Sequence, residues 1–500
     1  MSGWRRDGAA AVTGRLAEAG ALLASGDRAG AIASAVSALA GAPARKADVA
    51  AALRIVAQLR REGALADAAG LADALVLAAP REPMPLVARS QIRHVRGDLD
   101  GAIADTRAAM ECAANPDDAR ARLAELLYEA GALEAAALEA DAVIAARPGD
   151  VAALARRADI ADAAGDAAGA GSLLDRALEI RRRTRIGSPA LLMALLRAGR
   201  IEDALPDLDL RWQTAGAPPR PFIGASWDGR PLPDQTLLVW GEQGLGEEIW
   251  AAALLPAAAR RVGRVVVECA PRLARLLRRS FPAITVVPRG DPPTVPPGHS
   301  VAAQVASVAL VRALGPAAVR DLPHPPHLRA DPAQVATLRA RYRALGAGPL
   351  VGLSWRSANR HAALAKSASL AEWRPILGRR AVFVDLQYGD TAADRDRAAA
   401  SGIAIHRDPS VDPLGDLDPV AAQVAAMDMV VTVSNTTAHL AGGLGVSSVV
   451  LLPRGRGQVW SWLDGTRPWY SRMRICRQPR AGDWTAAVAA AAAHLDGTLR

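Results

Sequence analysis

The chain has 500 residues, of which 51% are hydrophobic and 22% are charged, and it carries a formal net charge of +9. This length predicts two to four domains, and the composition is that of a globular protein, which excludes a disordered chain. No run of 18 uncharged apolar residues occurs, and residues 1–20 lack the apolar core of a signal peptide. The sequence therefore predicts neither a transmembrane helix nor a signal peptide.

The positive charge does not by itself indicate a nucleic-acid partner. Only Lys46 and Lys366 are lysines, and the many arginines are spread through amphipathic segments. Solvated helix faces explain this distribution better than a nucleic-acid-binding patch does. The three cysteines, Cys112, Cys269 and Cys476, fit no metal or disulfide spacing. We therefore expect buried thiols in a reducing compartment and a cytoplasmic protein.

The N-terminal part of the chain repeats with a period of 34 residues. Glycines recur at this step, and each is followed five residues later by an alanine: Gly63/Ala68, Gly97/Ala102, Gly131/Ala136, Gly165/Ala170 and Gly199/Ala204. A glycine between two helices and a small residue early in the second helix are the tetratricopeptide signature. We expect about six repeats over residues 10–210, including a less regular copy at Gly26. The concave face of such a solenoid binds peptides or protein segments; alternatively, the repeats only support folding or dimerisation of the rest.

Strands alternate with helices from about residue 212 onwards, as in parallel α/β lobes. The first lobe is predicted over residues 212–330 and the second over 350–500, with a linker at 331–349 after a proline-rich stretch. Two such lobes bind ligands in the cleft at the carboxyl ends of their strands. Three polar motifs fall at predicted strand ends: GEQGLGEE (241–248), SWRSANR (354–360) and SNTTAH (434–439).

The third motif lies within residues 429–452, which predict a strand, a polar turn, a small-residue helix and a second strand. Free N–H groups and the positive end of the helix dipole meet hydroxyl and amide side chains at this turn, which suits a phosphate. The alternative is that Ser434 or Asn435 is only the N-cap of the helix.

Taken together and in this order, the motifs resemble a bacterial group of tetratricopeptide-repeat proteins that carry a glycosyltransferase domain of the GT-B fold. That domain is similar to the family 9 ADP-heptose lipopolysaccharide heptosyltransferases, and the architecture also resembles the O-linked N-acetylglucosamine transferase. The resemblance covers nearly the whole chain and rests on the repeats and on GEQGLGEEI (241–249), VVVECAPRL (265–273), VGLSWRS (351–357), LQYGD (386–390), SNTTAHLAGGLG (434–445) and RPWYSRMRICRQ (467–478). It implies an α-solenoid followed by an α/β GT-B fold of two Rossmann-like lobes.

The resemblance also implies a nucleotide-diphospho-sugar co-substrate, bound mainly by the second lobe, with the acceptor entering from the first. Lys366 resembles the lysine that pairs with the donor phosphates, with a surface lysine as the alternative. Thr436 and Thr437 match the diphosphate-gripping turn, and His439 matches a motif histidine that contacts phosphate or packs against the turn. The implied nucleotide-sugar-binding residues are Gly244, Gly246, Ser354, Arg356, Lys366, Gln387, Ser434, Asn435, Thr436, Thr437 and His439.

Two adjacent glutamates are the catalytic candidates that the resemblance implies. Glu247 lies where the heptosyltransferases carry an aspartate proposed as general base, and Glu248 follows it. The alternative for either residue is an acidic side chain in the first turn of a helix, where it interacts favourably with the helix dipole and has no catalytic role. Ser434 stands where those enzymes have aspartate, and Arg356 is a candidate for neutralising the leaving diphosphate. Because no cluster of carboxylates or histidines fits a metal site, we expect metal independence and no further cofactor.

The leading hypothesis is a glycosyltransferase that modifies a protein or cell-surface glycan recruited by the repeats, with flagellin or another surface protein as an acceptor by resemblance only. The second is a non-catalytic adaptor with a degenerate sugar-nucleotide-binding module. The departures at positions 247 and 434 favour it, whereas the retained Lys366, Asn435-Thr436-Thr437 and His439 oppose it. A sugar-nucleotide epimerase is the third, but it needs acid/base groups on both faces of the sugar, and we recognise none. The sequence leaves the sugar, nucleotide, acceptor, stereochemical outcome and oligomeric state open.

Overall fold

The computed structural model describes residues 3–40, 45–214, 224–242, 244–290, 300–315, 325–357, 366–454 and 469–498. The chain forms two compact units, Met1–Ile160 and Ala161–Arg500, and the division falls within one helix. Each unit has its own core of buried apolar side chains. Within the described ranges, no helix combines the length and the apolar character needed to cross a bilayer.

The first unit consists of paired helices. They are α1 (Gly3–Ala24), α2 (Arg28–Ala40), α3 (Lys46–Arg61), α4 (Leu65–Ala78), α5 (Pro83–Val95), α6 (Leu99–Cys112), α7 (Asp117–Glu129), α8 (Leu133–Ala146) and α9 (Val151–Ala163), the last of which runs into the second unit. Gly63, Gly97 and Gly131 turn the chain with φ of 77°, 85° and 79°, a left-handed conformation that strains other residues. The alanine five residues after each of these glycines is fully buried, so the paired helices approach closely.

The second unit begins with four further helices: α10 (Ala167–Thr184), α11 (Pro189–Arg197), α12 (Ile201–Ala204) and, after the 3₁₀ turn Leu205–Leu210, α13 (Arg211–Thr214). Together with α1 to α9, the described residues make six helix pairs from α1/α2 to α11/α12, as the repeat period predicts. The solenoid boundary at residue 210 stays a prediction. The division into two compact units nevertheless places α10 to α13 in the same unit as the α/β part of the chain.

Two sheets of parallel strands follow. The first has the order β1-β5-β2-β3-β4, and the second has the order β11-β10-β9-β6-β7-β8. Their strands are β1 (Ala225–Ser226), β2 (Leu232–Trp240), β3 (Val262–Cys269), β4 (Thr285–Pro288), β5 (Val301–Ala306), β6 (Leu350–Ser354), β7 (Val382–Asp385), β8 (Ile405–His406), β9 (Met429–Val433), β10 (Ser448–Leu452) and β11 (Met473–Arg477).

Short helices connect these strands: α14 (Leu245–Ala252), α15 (Leu255–Ala259), α16 (Ala274–Ser280), α17 (Leu310–Leu314), α18 (Pro332–Arg343), α19 (Arg374–Leu377), α20 (Ala392–Ala400), α21 (Leu417–Ala425), α22 (Thr436–Leu444) and α23 (Thr485–Thr498). Strands β6, β9 and β10 are buried along their whole length, as expected where helices cover both faces of a parallel sheet. The predicted fold class, a helical solenoid followed by two Rossmann-like α/β lobes, is confirmed.

Helices of the second unit contact strand ends in both sheets. Arg211, the first residue of α13, forms a buried bidentate ion pair with Glu242, with Nε–Oε2 and Nη2–Oε1 distances of 2.8 and 2.9 Å. Asp162, near the end of α9, accepts a hydrogen bond of 3.2 Å from Arg454, which follows β10. Removing one partner of a buried ion pair leaves an uncompensated charge, so cutting the chain at residue 212 would damage the α/β part. Experiments on the α/β part therefore need the full chain.

Candidate functional site

The two sheets bring their polar motifs together at the first turn of α14 and the first turns of α22. Gly246 in α14 lies directly against His439 in α22: a Cβ atom on Gly246 would be 2.7 Å from Cδ2 and 3.0 Å from Nε2 of the imidazole. Only a residue without a side chain permits this approach. The predicted motifs at residues 241–248 and 434–439 are therefore neighbours, although they belong to different sheets.

Asn435 caps α22 and ties two strands of the second sheet together. Its Oδ1 accepts a hydrogen bond of 3.0 Å from the N–H of Thr437, which is the usual role of an N-cap. Its Nδ2 donates to Oγ of Ser354, at 2.8 Å, and to the carbonyl of Arg356, at 3.1 Å. The amide of Asn435 is thus fully used in holding the ends of β6 and β9 side by side.

Gln387, just beyond β7, continues this network. Its Oε1 accepts hydrogen bonds from Oγ of Ser354, at 3.2 Å, and from the backbone N–H of Arg356, at 2.8 Å. The guanidinium of Arg356 turns away to Asp394, at 3.3 Å, and to the carbonyl of Asp390. These residues shape the strand ends, and contact between Arg356 and a diphosphate stays a prediction.

At the N-terminus of α22, the backbone N–H of the first residue, Thr436, makes no hydrogen bond with any described residue. Thr437 and Ser434 are buried, whereas Thr436 is only partly buried. Asn435 occupies the N–H groups of Thr437 and Ala438. A helix N-terminus with an open N–H group favours an anion.

Lys366 lies inside this region, with only 5% of its surface exposed. Its burial lowers the pKa of the ammonium, and the nearby carboxylate of Glu247 opposes this shift. The positive charge of Lys366 in turn contributes to the lowered pKa of His439. Lys366 therefore lies near the side chains of both Glu247 and His439. Among the described residues, Lys366 has no hydrogen-bond acceptor and no salt bridge. A buried ammonium without a hydrogen-bond acceptor is costly, and a bound anion would lower that cost.

His439 and Tyr470 complete what we call the interlobe cluster: Glu247, Lys366, His439 and Tyr470. The tyrosine hydroxyl lies 3.1 Å from Nδ1 of His439. Burial, together with the charges of Lys366 and His327, lowers the pKa of His439 to about 3, so its imidazole is neutral at physiological pH. Glu247 is only partly buried and also contributes to the raised pKa of Tyr470.

Sequence reasoning had not selected Tyr470, although a signal for it exists. The glycine pair at 442–443 in α22 implies that something packs closely against this helix. A Cβ atom on Gly442 would be 2.3 Å from the Tyr470 ring, and one on Gly443 would be 2.8 Å from Leu328. Glycines inside a helix cost stability, so such a pair points to a close tertiary approach.

We expect Gly442→Ala to destabilise the second unit by about 2 kcal/mol, because the added methyl group overpacks the Tyr470 ring. Gly171→Ala in α10 is the matched control, because no atom lies within 4 Å of a Cβ there. The control should leave stability unchanged or raise it by up to about 1 kcal/mol. Denaturant unfolding followed by tryptophan fluorescence measures both effects, because every tryptophan except Trp4 belongs to the second unit. Equal stability changes in the two variants would contradict this packing.

Glu248, unlike its neighbour, is held inside the first lobe. It is buried, accepts a hydrogen bond of 2.8 Å from the N–H of Ala270, and pairs with Arg289. Burial outweighs these interactions and raises its pKa to about 7. The carboxylate of Glu248 therefore binds at the end of β3, whereas Glu247 belongs to the interlobe cluster.

The raised pKa of Glu248 makes stability pH-dependent. Folding favours the protonated form of Glu248. The resulting contribution to the free energy of unfolding is fully present below about pH 4.5 and is lost as the pH rises through about 7. We expect the unfolding free energy of the wild type, relative to Glu248→Gln, to fall by about 3 kcal/mol across this interval. Denaturant titrations at a series of pH values measure the difference. A difference that does not change with pH would refute the shifted pKa.

The residues of the site offer no evident metal ligands. Within the part of the chain that the structure describes, no three His, Cys, Asp or Glu side chains are grouped so that they could hold a metal ion. The positive groups available to an anion here are the Lys366 ammonium and the N-terminus of α22. Metal independence stays a prediction.

Comparison with known proteins finds a curated relative and several solved structures with weak similarity. No protein-family model matches the chain. Its sequence is 32% identical to Protein FlbA of Caulobacter vibrioides over 312 residues, which are 58% of this chain and 51% of FlbA. The chain thus spans about half the length of this curated relative.

Among solved structures, the ADP-heptose lps heptosyltransferase II of E. coli is 13% identical, with a TM-score of 0.38, and the match covers 53% of this chain and 98% of that enzyme. YrrB, described as a TPR protein with an unusual peptide-binding site, is 17% identical, with a TM-score of 0.29 and coverage of 36% and 89%. Both likenesses are of fold alone. Because both TM-scores lie below one half, neither likeness supports a conclusion about what this chain does.

Proposed function

We propose that the chain is a glycosyltransferase that uses a nucleotide-diphospho-sugar and modifies a protein or cell-surface glycan recruited by the helical repeats. The observation that carries this proposal is the buried ammonium of Lys366, which has no hydrogen-bond acceptor among the described residues and lies beside a partly buried carboxylate, Glu247. A site with a cation for the leaving group and a base for the attacking group suits sugar transfer from a diphosphate.

The proposed step is a substitution at the anomeric carbon of the donor sugar. An acceptor hydroxyl forms the new C–O bond, and the bond between the anomeric carbon and the diphosphate oxygen breaks. The nucleoside diphosphate leaves with that electron pair, and the acceptor proton passes to the carboxylate of Glu247. Lys366 and the open N–H of Thr436 stabilise the negative charge that develops on the leaving diphosphate.

Glu247 suits the role of base better than Glu248 does. A general base must reach the proton that it removes, and Glu247 is only partly buried at the edge shared with Lys366. Glu248 already accepts the Ala270 N–H and pairs with Arg289. We therefore assign Glu248 a role in holding the end of β3 and not in proton transfer.

A non-catalytic adaptor remains the second candidate, and specific observations favour it. The side chains of Asn435 and Arg356 are both engaged within the protein, and Ser434 is a hydroxyl where the heptosyltransferase pattern has a carboxylate. An adaptor would keep the buried cation and bind the donor, but it would not transfer the sugar. A cytoplasmic location and flagellin or another surface protein as acceptor stay proposals that rest on the resemblance.

A transfer assay separates the two candidates. The full chain is incubated with donors that carry a labelled sugar on UDP, GDP, ADP or dTDP, together with an envelope extract of the source cells. The transferase predicts label in the macromolecular fraction with one donor class, and no label with the Glu247→Gln variant. Binding of a donor without any transfer of label would favour the adaptor.

A further inference from the structure

A short segment between the two lobes, residues 325–329, fastens a helix of each lobe, and we call it the strap. The backbone N–H groups of His327 and Leu328 both donate to the carbonyl oxygen of Gly443 in α22, at 2.8 and 2.9 Å. Because a carbonyl only accepts, Nε2 of His327 donates to the carbonyl oxygen of Ile249 in α14, at 2.9 Å. The strap therefore holds α14 and α22 together.

A cavity of about 340 Å³ lies beside the strap, and this volume suits a small ligand. We call it the strap cavity. Its walls come from α15 and the end of α16 in the first lobe, from the strap, and from residues 469–470 in the second lobe. Its described lining residues include Arg260, Phe281, His327, Arg329, Trp469 and Tyr470.

The strap cavity is a different place from the proposed donor site. The strap contacts α22 at Gly443, and the helix rises about 10 Å between Thr436 at its N-terminus and this glycine. Of the interlobe cluster, Tyr470 alone is among the described residues that line the cavity. A ligand in the strap cavity would therefore leave Lys366 to the donor.

The shape of the cavity wall favours a flat ligand. The rings of Phe281, His327 and Tyr470 form a row of nearly parallel faces. The centroids of Phe281 and His327 are 6.5 Å apart with an interplanar angle of 25°, and those of His327 and Tyr470 are 6.1 Å apart with an angle of 15°. A planar ring can lie against such faces over its whole area.

Two arginines supply the charge of the cavity. Arg260 and Arg329 are exposed, and neither guanidinium has a salt bridge or a hydrogen bond with any residue that the structure describes. Arg261, the next residue in the chain, donates instead to two backbone carbonyls. None of the described lining residues is acidic. Burial lowers the pKa of His327 to about 4, so its ring adds no charge near pH 7.

We propose that the strap cavity binds a small planar aromatic anion, with its ring against the row of aromatic side chains and its acid group on Arg260 and Arg329. Guanidinium groups bind a carboxylate or a phosphate through paired N–H donors, so either acid group fits. Because the ligand touches both lobes, its binding stabilises the second unit against unfolding. This site does not depend on the proposed function.

Fluorine nuclear magnetic resonance of the full chain, labelled with fluorotryptophan, tests the proposal with phenyl phosphate, phenylacetate, phenylacetamide and inorganic phosphate. The chain has 11 tryptophans, and loss of one signal in Trp469→Phe assigns Trp469. We expect at least one of the two aromatic acids to shift this signal saturably, and the uncharged and the ringless probes to bind at least about tenfold more weakly. The acid that binds more tightly identifies the acid group. No shift with either aromatic acid, or equally tight binding of phenylacetamide or inorganic phosphate, would overturn the proposal.

Variants show where the probe binds. Arg260→Gln and Arg329→Gln together should weaken binding of the aromatic acid about tenfold. Arg264→Gln is the matched control, because Arg264 is an exposed arginine of β3 that is not among the described lining residues. This control and Lys366→Met should both leave probe binding unchanged. An equal loss in Arg264→Gln would indicate only a general effect of charge, and a loss in Lys366→Met would place the probe in the donor site; either result contradicts the proposal.

Discussion

Replacing Lys366 with methionine is expected to raise the dissociation constant for the donor by about 10- to 100-fold. A charge-assisted hydrogen bond to an ionised group contributes about 1.5–3 kcal/mol, and each 1.4 kcal/mol is about tenfold in affinity. Methionine is unbranched and only one heavy atom shorter than lysine, so most of the buried space stays filled. The variant should fold as well as the wild type, because no described residue loses a hydrogen bond or a salt bridge to this ammonium. Isothermal titration calorimetry of the full chain measures the change.

The chain supplies its own control for this prediction. Lys46 is the only other lysine, and it is exposed at the start of α3 in the first unit. Lys46→Met removes the same charge from the same protein without touching the site, so it should leave the dissociation constant unchanged. Wild-type affinity in both Lys366→Met and Lys46→Met would remove Lys366 from the donor site. Equal losses in both would indicate only a general effect of net charge.

Glu247→Gln is expected to lower the rate of sugar transfer by about 100- to 10,000-fold, which is the usual contribution of a general base. Donor affinity should be unchanged or higher, because the variant removes a negative charge near the binding site for an anion. The transfer assay and calorimetry, carried out on the same preparation, separate the two effects. Loss of transfer with retained binding is the expected pattern.

Glu134→Gln is the control for the alternative that Glu247 does no more than interact favourably with the dipole of its helix. Both glutamates lie in the first turn of a helix, Glu247 in α14 and Glu134 in α8, and Glu134 is exposed. Loss of a dipole interaction alone costs about 0.3–1 kcal/mol of stability and leaves the chemistry intact. Full transfer activity in Glu247→Gln would exclude this residue as the base.

Parts of the fold that repeat or alternate were predictable from the sequence. The spaced glycines marked the helix turns because a left-handed backbone needs glycine, and Gly63 adopts that conformation. Apolar runs followed by polar turns marked strand ends, and SNTTAH indeed joins β9 to α22. These features are local, so a single stretch of sequence contains the evidence for them.

Features that depend on distant residues were not predictable in this way. Glu247 and Glu248 are adjacent, but successive helical residues point about 100° apart, and only the packing of α14 shows which one faces Lys366. The ion pair of Arg211 with Glu242 and the contact of Tyr470 with His439 join residues 31 positions apart in each case. Neither pair has a spacing that marks it in the sequence.

The central claim is that the edge between the two lobes binds a nucleotide-diphospho-sugar. Calorimetric titration of the full chain with UDP-, GDP-, ADP- and dTDP-linked sugars tests it most directly, with a CMP-linked sugar as the monophosphate comparison. We predict saturable binding of one diphosphate class and much weaker binding of the CMP sugar, because the buried ammonium and the helix N-terminus select for the diphosphate. A folded chain that binds none of the five donors would contradict the claim.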